Sequence, residues 1–277
     1  MCGEKRAKQL WQVREYRVVR CRGCGLVFVG NPPEEAQLAG FYQEDYWEAP
    51  DHPGYGGYGK AESRKRHHFR GLLATLERVA PRVGDLLEVG CAYGYFLAEA
   101  RDRGWRASGL EPSAHAARQA RDRLGLSVHN ASIEDLPSAP DSVDAVVLWD
   151  VIEHLPRPLR TLRAAAARLR PGGVLGLSTG DIGSLSAHLH GRDWSLLTPP
   201  WHLFYFSSAT LASMLRRAGL EIVRAGGDGV VGVDPESPRP RLPKAIRAAL
   251  LSPLATRPFR QLGLGMTVFM FARKPPA

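Results

Sequence analysis

The residues with the clearest chemical potential lie in one short run, EVGCAYG, at 88–94. A carboxylate, Glu88, ends an apolar strand, and the small residues Gly90, Ala92 and Gly94 follow at every second position. Small residues here let a ligand approach the backbone closely. Three nucleotide-like ligands compete. A phosphate-binding P-loop closes on Gly-Lys-Ser/Thr, and no such run is present. A dinucleotide fingerprint needs a third small residue for helix–strand packing, and Tyr95 stands there. A pyrophosphate would also sit poorly beside Glu88. The third ligand is S-adenosylmethionine, a phosphate-free cation that a carboxylate attracts. Glu111 closes the next strand roughly 20 residues on, and its two oxygens suit the two ribose hydroxyls. A tight turn without a ligand explains the loop but leaves Glu111 without a role.

With that ligand the chemistry is in-line methyl displacement, which needs alignment, exclusion of water and a base for the acceptor proton. A neutral imidazole suits the last task. His154, in DVIEHL, follows the fourth strand of the alternating region, and strand carboxyl ends are where open α/β sheets bind ligands. His202, in TPPWHLFYF, lies in an aromatic turn after the fifth. A structural role for His154 competes evenly with a catalytic one, whereas His202 leans towards the acceptor. Tyr205 reads as a core residue. Tyr55 and Tyr58 stand where they would cover the cofactor.

These groups need a scaffold, and the pattern supplies one. Apolar strands alternate with helices of about ten residues, which predicts βαβ units and a doubly wound, mostly parallel, Rossmann-like sheet of seven strands. The division read from the sequence is a small cysteine-bearing segment at 1–31, an aromatic and glycine-rich linker and helix at 32–80, and the main domain at 81–277 with an insertion at 228–262. Residues 34–59 read as irregular, with a helix over 60–79. The helix PLRTLRAAAARLR is expected to stop at Pro171-Gly172-Gly173. A short basic helix is expected near 244–251.

The net charge of +9 is unevenly spread: residues 1–31 hold seven Lys/Arg against two Glu, and 216–277 eleven against four acids. An Arg-rich solvated surface explains this, and so does an acidic partner. No run approaches the ~20 apolar residues needed to cross a bilayer, and the charged N-terminus does not read as a secretory signal. Four cysteines do not make a disulfide scaffold, so a cytoplasmic setting is expected.

The motifs EVGCAYG, GLEPS, SIEDLP, LWDVIEHL, LRPGG and PPWHLFYFS stand in an order that resembles the class I S-adenosylmethionine-dependent methyltransferases. The likeness is greatest to the group containing the ubiquinone-biosynthesis O-methyltransferases. It implies that Glu88, Gly90, Ala92 and Gly94 line the methionine end of the cofactor. It places Glu111 on the ribose, with Pro112 and Ser113 beside it, and Ser132 and Ile133 against the adenine. Trp149 and Asp150 would face the sulfonium and the acceptor. Ala92 and Ser132 depart from the family's usual Gly and Asp.

Cys21-Arg-Gly-Cys24-Gly reads as half of a zinc knuckle. Related methyltransferases carry an N-terminal zinc ribbon of two such halves. Only Cys2-Gly3 represents the other half, so the sequence reads as truncated at its start, or the ribbon as degenerate. Three thiolates, Cys2, Cys21 and Cys24, would then hold a structural zinc. Cys91 reads as a small apolar filler. The expected reaction is methyl transfer to a small-molecule acceptor at oxygen. Carbon methylation of a sugar or ring stays open, as does a nucleic-acid methyltransferase, although the core's negative balance disfavours the latter. Residues 237–260 pair Lys/Arg with Ile/Leu, which suits weak contact with an anionic membrane surface. The sequence does not specify an oligomeric state.

Overall fold

The computed structural model describes residues 2–42, 44–48, 59, 62–137, 139–228 and 266–276. Three strands open the chain: β1 (Ala7–Val13), β2 (Tyr16–Cys21) and β3 (Val27–Val29). Two short helices follow, α1 (Glu35–Ala39) and α2 (Glu44–Glu48), then the longer α3 (Glu62–Val79). Strand and helix next alternate through β4 (Asp85–Val89), α4 (Tyr95–Asp102), β5 (Arg106–Leu110), α5 (Ala114–Leu124), β6 (Ser127–His129), β7 (Val143–Trp149), α6 (Pro158–Arg168) and β8 (Leu169–Gly180). The rest comprises α7 (Leu185–His190), β9 (Phe204–Tyr205), α8 (Ser208–Arg217), β10 (Glu221–Asp228) and β11 (Thr267–Arg273).

The predicted seven-stranded sheet is present, ordered β10-β11-β8-β7-β4-β5-β6. Strand β11 runs antiparallel to both its neighbours, β8 and β10, while β8-β7-β4-β5-β6 are parallel. Strand order reverses beside β4, so a crevice opens at the carboxyl ends of β4, β5 and β7. Local chemistry delimits the helices around it. The Ser113 hydroxyl caps α5, Gly125 ends it in the left-handed region, and Pro158 starts α6 where its missing N–H costs nothing. Leu97, Leu110, Leu148 and Leu162 are fully buried, each worth about 1.5–3 kcal/mol.

The buried carboxylate of Asp144, on β7, is compensated where the sheet begins. It accepts from Arg82 Nε at 2.8 Å, Arg170 Nη1 at 2.7 Å and the Asp85 amide at 2.9 Å. Glu99 on α4 does similar service for α3, accepting from Arg66 at 2.6 Å and Arg70 at 2.8 Å.

Four features differ from the sequence expectation. Strand β1 was not foreseen, because AKQLWQV mixes polar and apolar residues and is largely exposed. Residues 35–39 and 44–48 are helical rather than irregular, and α2 buries Tyr46 and Trp47. Helix α6 ends at Arg168, before Pro171, because Leu169 is extended, buried and paired with Val143. The N-terminal strands are also not detached. They form a second sheet, β1-β2-β3-β9, whose last strand comes from the far end of the main domain. Residues 229–265, with the expected basic helix and the 237–260 stretch, lie outside the described residues, as do Tyr55 and Tyr58.

Candidate active site

The loop after β4 is a tight turn built on left-handed backbone: Gly90, Ala92 and Gly94 have φ of 73°, 50° and 78°. The Gly90 and Cys91 amides both donate to the Leu110 carbonyl, at 2.8 and 3.1 Å, which draws the loop across the end of β5. A Cβ at Gly90 would stand 2.6 Å from Val151 Cγ2, and one at Gly94 would run into Leu126. Ala92 has no such obstacle and bears only the conformational cost of its φ. Cys91 is a filler, as expected, buried against Gly109.

Glu111 stitches this loop to the next. Its Oε2 accepts from the Ala92 amide at 2.9 Å and its Oε1 from the Ser113 amide at 2.8 Å. A carboxylate has about four acceptor positions, so two remain for a pair of hydroxyls. Asn130 Nδ2 fixes the neighbouring carbonyls of Glu111 and Pro112, at 2.9 and 2.7 Å. Burial raises the Glu111 carboxyl to about 7, against the pull of its two amide bonds. Glu88 is fully enclosed. Burial and then the Glu111 charge push its carboxyl well above the ordinary range, while the Leu97 amide opposes them. Its Oε2 has no hydrogen-bond partner. An orphaned buried carboxylate oxygen at the carboxyl end of β4 fits a ligand bearing an ammonium group.

Ser132 stands beyond β6, and its hydroxyl donates to Asp135 Oδ2 at 2.6 Å. Ile133 is buried with Leu110 and Val89 in the core under this edge. Trp149 departs from its expected orientation. Its backbone ends β7 at the crevice, but its indole packs between Phe96 and Phe271, with ring centroids 5.4 and 6.0 Å away. Alternation along β7 directs its side chain to the α3/α4 layer. Asp150, with φ 53°, accepts from the Ser178 hydroxyl at 2.8 Å. Burial lowers the Lys65 ammonium of α3 to about 8, with the Asp150 charge opposing.

The two histidines meet. Their rings lie edge to face with centroids 4.7 Å apart. His154 Nδ1 lies 2.9 Å from the Trp201 carbonyl, and His202 Nδ1 lies 2.8 Å from the Leu196 carbonyl. A carbonyl only accepts, so each Nδ1 carries the proton and each Nε2 keeps a lone pair. Burial lowers His154 to about 3, with His202 adding to the effect, and lowers His202 to about 4. Both rings are therefore neutral near pH 7. The Tyr42 hydroxyl lies 3.1 Å from His154 Nδ1. Glu153 is buried, and desolvation followed by the Asp150 charge raises its carboxyl to about 8. Ligand atoms of Glu153, His154 and His202 all lie within 4.8 Å of one another, a set able to hold a divalent ion.

The Cys2, Cys21 and Cys24 sulfurs also lie within 4.8 Å of one another, with Cys2 and Cys21 Sγ 3.5 Å apart. Thiolates sharing one tetrahedral zinc stand about 3.8 Å apart, from Zn–S bonds of ~2.3 Å. Hydrogen bonds from the Cys24 and Gly23 backbone lower the Cys21 thiol, whereas burial raises Cys24. Amides directed at sulfur are what a thiolate knuckle requires.

Sequence reasoning missed Tyr42, Trp47 and Lys65. Trp47 Nε1 donates to the Ser113 hydroxyl at 3.1 Å, laying α2 over the cofactor loop. The sole sequence signal was the aromatic density of FYQEDYW, which does not say what it covers.

A doubly wound sheet with one reversed strand, and an acid–loop–acid crevice without phosphate ligands, define an adenosyl-cofactor fold. Residues 62–225 match the family model described as a methyltransferase domain, and the chain belongs to that family, the class I S-adenosylmethionine-dependent methyltransferases. A "probable S-adenosylmethionine-dependent methyltransferase" of Mycolicibacterium smegmatis is 29% identical over 191 residues, 68% of this chain and 64% of that protein. A ubiquinone biosynthesis O-methyltransferase of Xanthomonas campestris is 36% identical over 169 residues, 55% of this chain and 70% of that enzyme. Among solved structures, a chain from the complex between the Haloferax volcanii Trm112 methyltransferase activator and a methyltransferase shares the fold. Its TM-score is 0.58 at 20% identity, covering 88% of this chain and all of that one.

Proposed function

We propose that the protein methylates a small-molecule acceptor at oxygen, with the His154/His202 pair receiving the acceptor proton. What supports this is the pair's geometry: the ring centroids lie 4.7 Å apart and each Nδ1 is directed at a backbone carbonyl, which leaves Nε2 as the nitrogen open to a proton. S-adenosylmethionine supplies a methyl group on a positively charged sulfur. Glu88 holds its ammonium group, Glu111 its ribose, and the 90–94 backbone its methionine portion. Gly90, Gly94, Pro112 and Ser113 keep that loop open, and Ser132 and Ile133 border the adenine. His202 Nε2 accepts the hydroxyl's hydrogen bond, and as the acceptor oxygen bonds to the methyl carbon and the carbon–sulfur pair returns to sulfur, the oxygen becomes acidic enough to pass its proton to this weakly basic imidazole. His154 packs against the His202 ring, and Tyr42 holds His154. The O-methyltransferase named among the relatives supports oxygen as the target. The cysteine trio holds a structural zinc.

A second reading follows from the Glu153, His154 and His202 geometry. A divalent ion there would lower the acceptor's own pKa, and the histidines would be ligands instead of bases. The test is a panel of catechols and other hydroxylated rings with S-adenosylmethionine, scored by mass spectrometry for S-adenosylhomocysteine and the methylated product. His202→Gln is expected to lower turnover about 10²–10⁴-fold while cofactor affinity is kept. Unchanged turnover removes His202 from the mechanism. A requirement for added Mg²⁺ or Mn²⁺ in protein that keeps its cysteine-bound zinc selects the second reading. A product methylated at carbon overturns the oxygen assignment.

A further inference from the structure

We infer that a metal ion held by Cys2, Cys21 and Cys24 secures the acceptor-side histidine pair through the β3–β9 ladder, leaving the cofactor half of the site independent of it. This rests on the zinc reading of the three cysteines. The knuckle is the connection between β2 and β3: Cys21 ends β2, its amide donates to the Leu26 carbonyl at 2.9 Å, and β3 starts at Val27. Strand β3 then pairs with β9 through only two residue pairs, Val27 with Tyr205 and Phe28 with Phe204. One further bond runs from the Val29 amide to the Leu203 carbonyl at 2.9 Å. A ladder this short needs its ends ordered from outside.

Strand β9 faces the active site on its other flank. The Leu203 and Phe204 amides donate to the Glu153 carbonyl at 2.8 and 3.2 Å. That carbonyl precedes His154, and His202 immediately precedes Leu203. One strip of backbone therefore joins the knuckle to both histidines. The cysteine turn is itself seated on the main domain, because Cys2, Cys24 and Leu26 share a cavity wall with Leu159, Met214 and Arg217. An ion would tie the Cys2 arm and the Cys21–Cys24 turn into one rigid end for β3. Without it, the Cys2 arm and the Cys21–Cys24 turn lose their common anchor, and the turn loosens. The hydrogen-bond partners of Glu111 and Glu88, at Ala92, Ser113 and Leu97, all belong to the other half of the crevice.

The full chain is purified with Zn²⁺, its metal content is measured, and the loaded and chelator-stripped forms are compared. The expected result is one zinc per chain and, on stripping, roughly tenfold or greater acceleration of amide exchange at residues 27–29 and 203–206. His202 becomes more reactive to diethyl pyrocarbonate, mapped by mass spectrometry. The Kd for S-adenosylmethionine changes by less than about twofold, as for uncoupled sites, which also certifies the fold of the stripped protein. Val29→Pro removes the bond to Leu203 that extends this short ladder, without touching a thiol, and it is expected to keep zinc while reproducing the exchange and labelling changes. Absence of bound metal overturns the zinc reading and this inference together. Bound metal with unchanged exchange and unchanged His202 labelling on stripping leaves the zinc reading standing and overturns the coupling alone.

Discussion

Two buried carboxyls carry the cofactor half of the site, and their environments make opposite demands on stability and function. Glu88 is enclosed with one oxygen unpaired, so its ionisation waits for a positive partner. Glu88→Gln removes the charge and nearly preserves the shape. The variant is expected to melt at a higher temperature and to bind S-adenosylmethionine about 10–100-fold more weakly, the worth of a hydrogen bond to a charged group. A calorimetric Kd equal to the wild-type value would sink the assignment. Glu111 yields a pH test. Its carboxyl, raised to about 7 in the free protein, must be ionised to accept two ribose hydroxyls. In Glu88→Gln, where no second raised carboxyl ionises on binding, association therefore releases a proton below about pH 7, and affinity rises with pH up to that point and levels off above it. Titrations in buffers of different ionisation enthalpy measure the released proton directly. A flat affinity between pH 5.5 and 8 contradicts the raised carboxyl.

At the scale of elements, the loop between β4 and α4 works because its backbone is left-handed in three places. At Gly94, as at Gly90, both conformation and space forbid a side chain, since a methyl would meet Leu126 and Ala120. Gly94→Ala is expected to cost about 2–4 kcal/mol from overpacking and the left-handed penalty together, read by denaturant unfolding, and to weaken cofactor binding. Ala92 shows the contrast, for its methyl is accommodated in the left-handed region within the buried cluster of Tyr46, Trp47 and Tyr93. Helix α2 covers this loop through Trp47 and Ser113. The strand–helix alternation from β4 to β8 was legible because its periodicities are local. Strand β9 was not legible, because two residues cannot display a period and its partner lies in the N-terminal sheet.

Across the whole molecule, the two sheets share residues as well as a border. Leu26 from the N-terminal unit is buried in the main core with Leu203, Phe204 and Met214. Val18, Val27 and Val29 pack with Trp194, Leu197 and Tyr205 of the segment between α7 and β9. Shared cores unfold together. The metal-loaded protein is expected to lose amide protection at β2–β3 and at β7–β8 in one transition, coincident with loss of far-UV dichroism. An earlier, separate loss at β2–β3 would show that the N-terminal sheet is only appended. Among the described residues no helix is long and apolar enough to cross a membrane.

The strand–helix order from β4 to β8, the parallel sheet and the acid–loop–acid arrangement were determined by the sequence itself. Each rests on neighbours close in the chain: strand alternation, glycine placement, and carboxylates at successive strand ends. The tertiary structure decided that His154 and His202 form one pair, that Tyr42 reaches it, and that the Trp149 ring turns into the core. It also decided that the cysteine knuckle is tied by backbone to the histidine turn. Those outcomes depend on which face of a strand meets which layer, and on contacts between segments far apart in the chain. No local pattern encodes such meetings, because the residues become neighbours only once the sheet has folded between them.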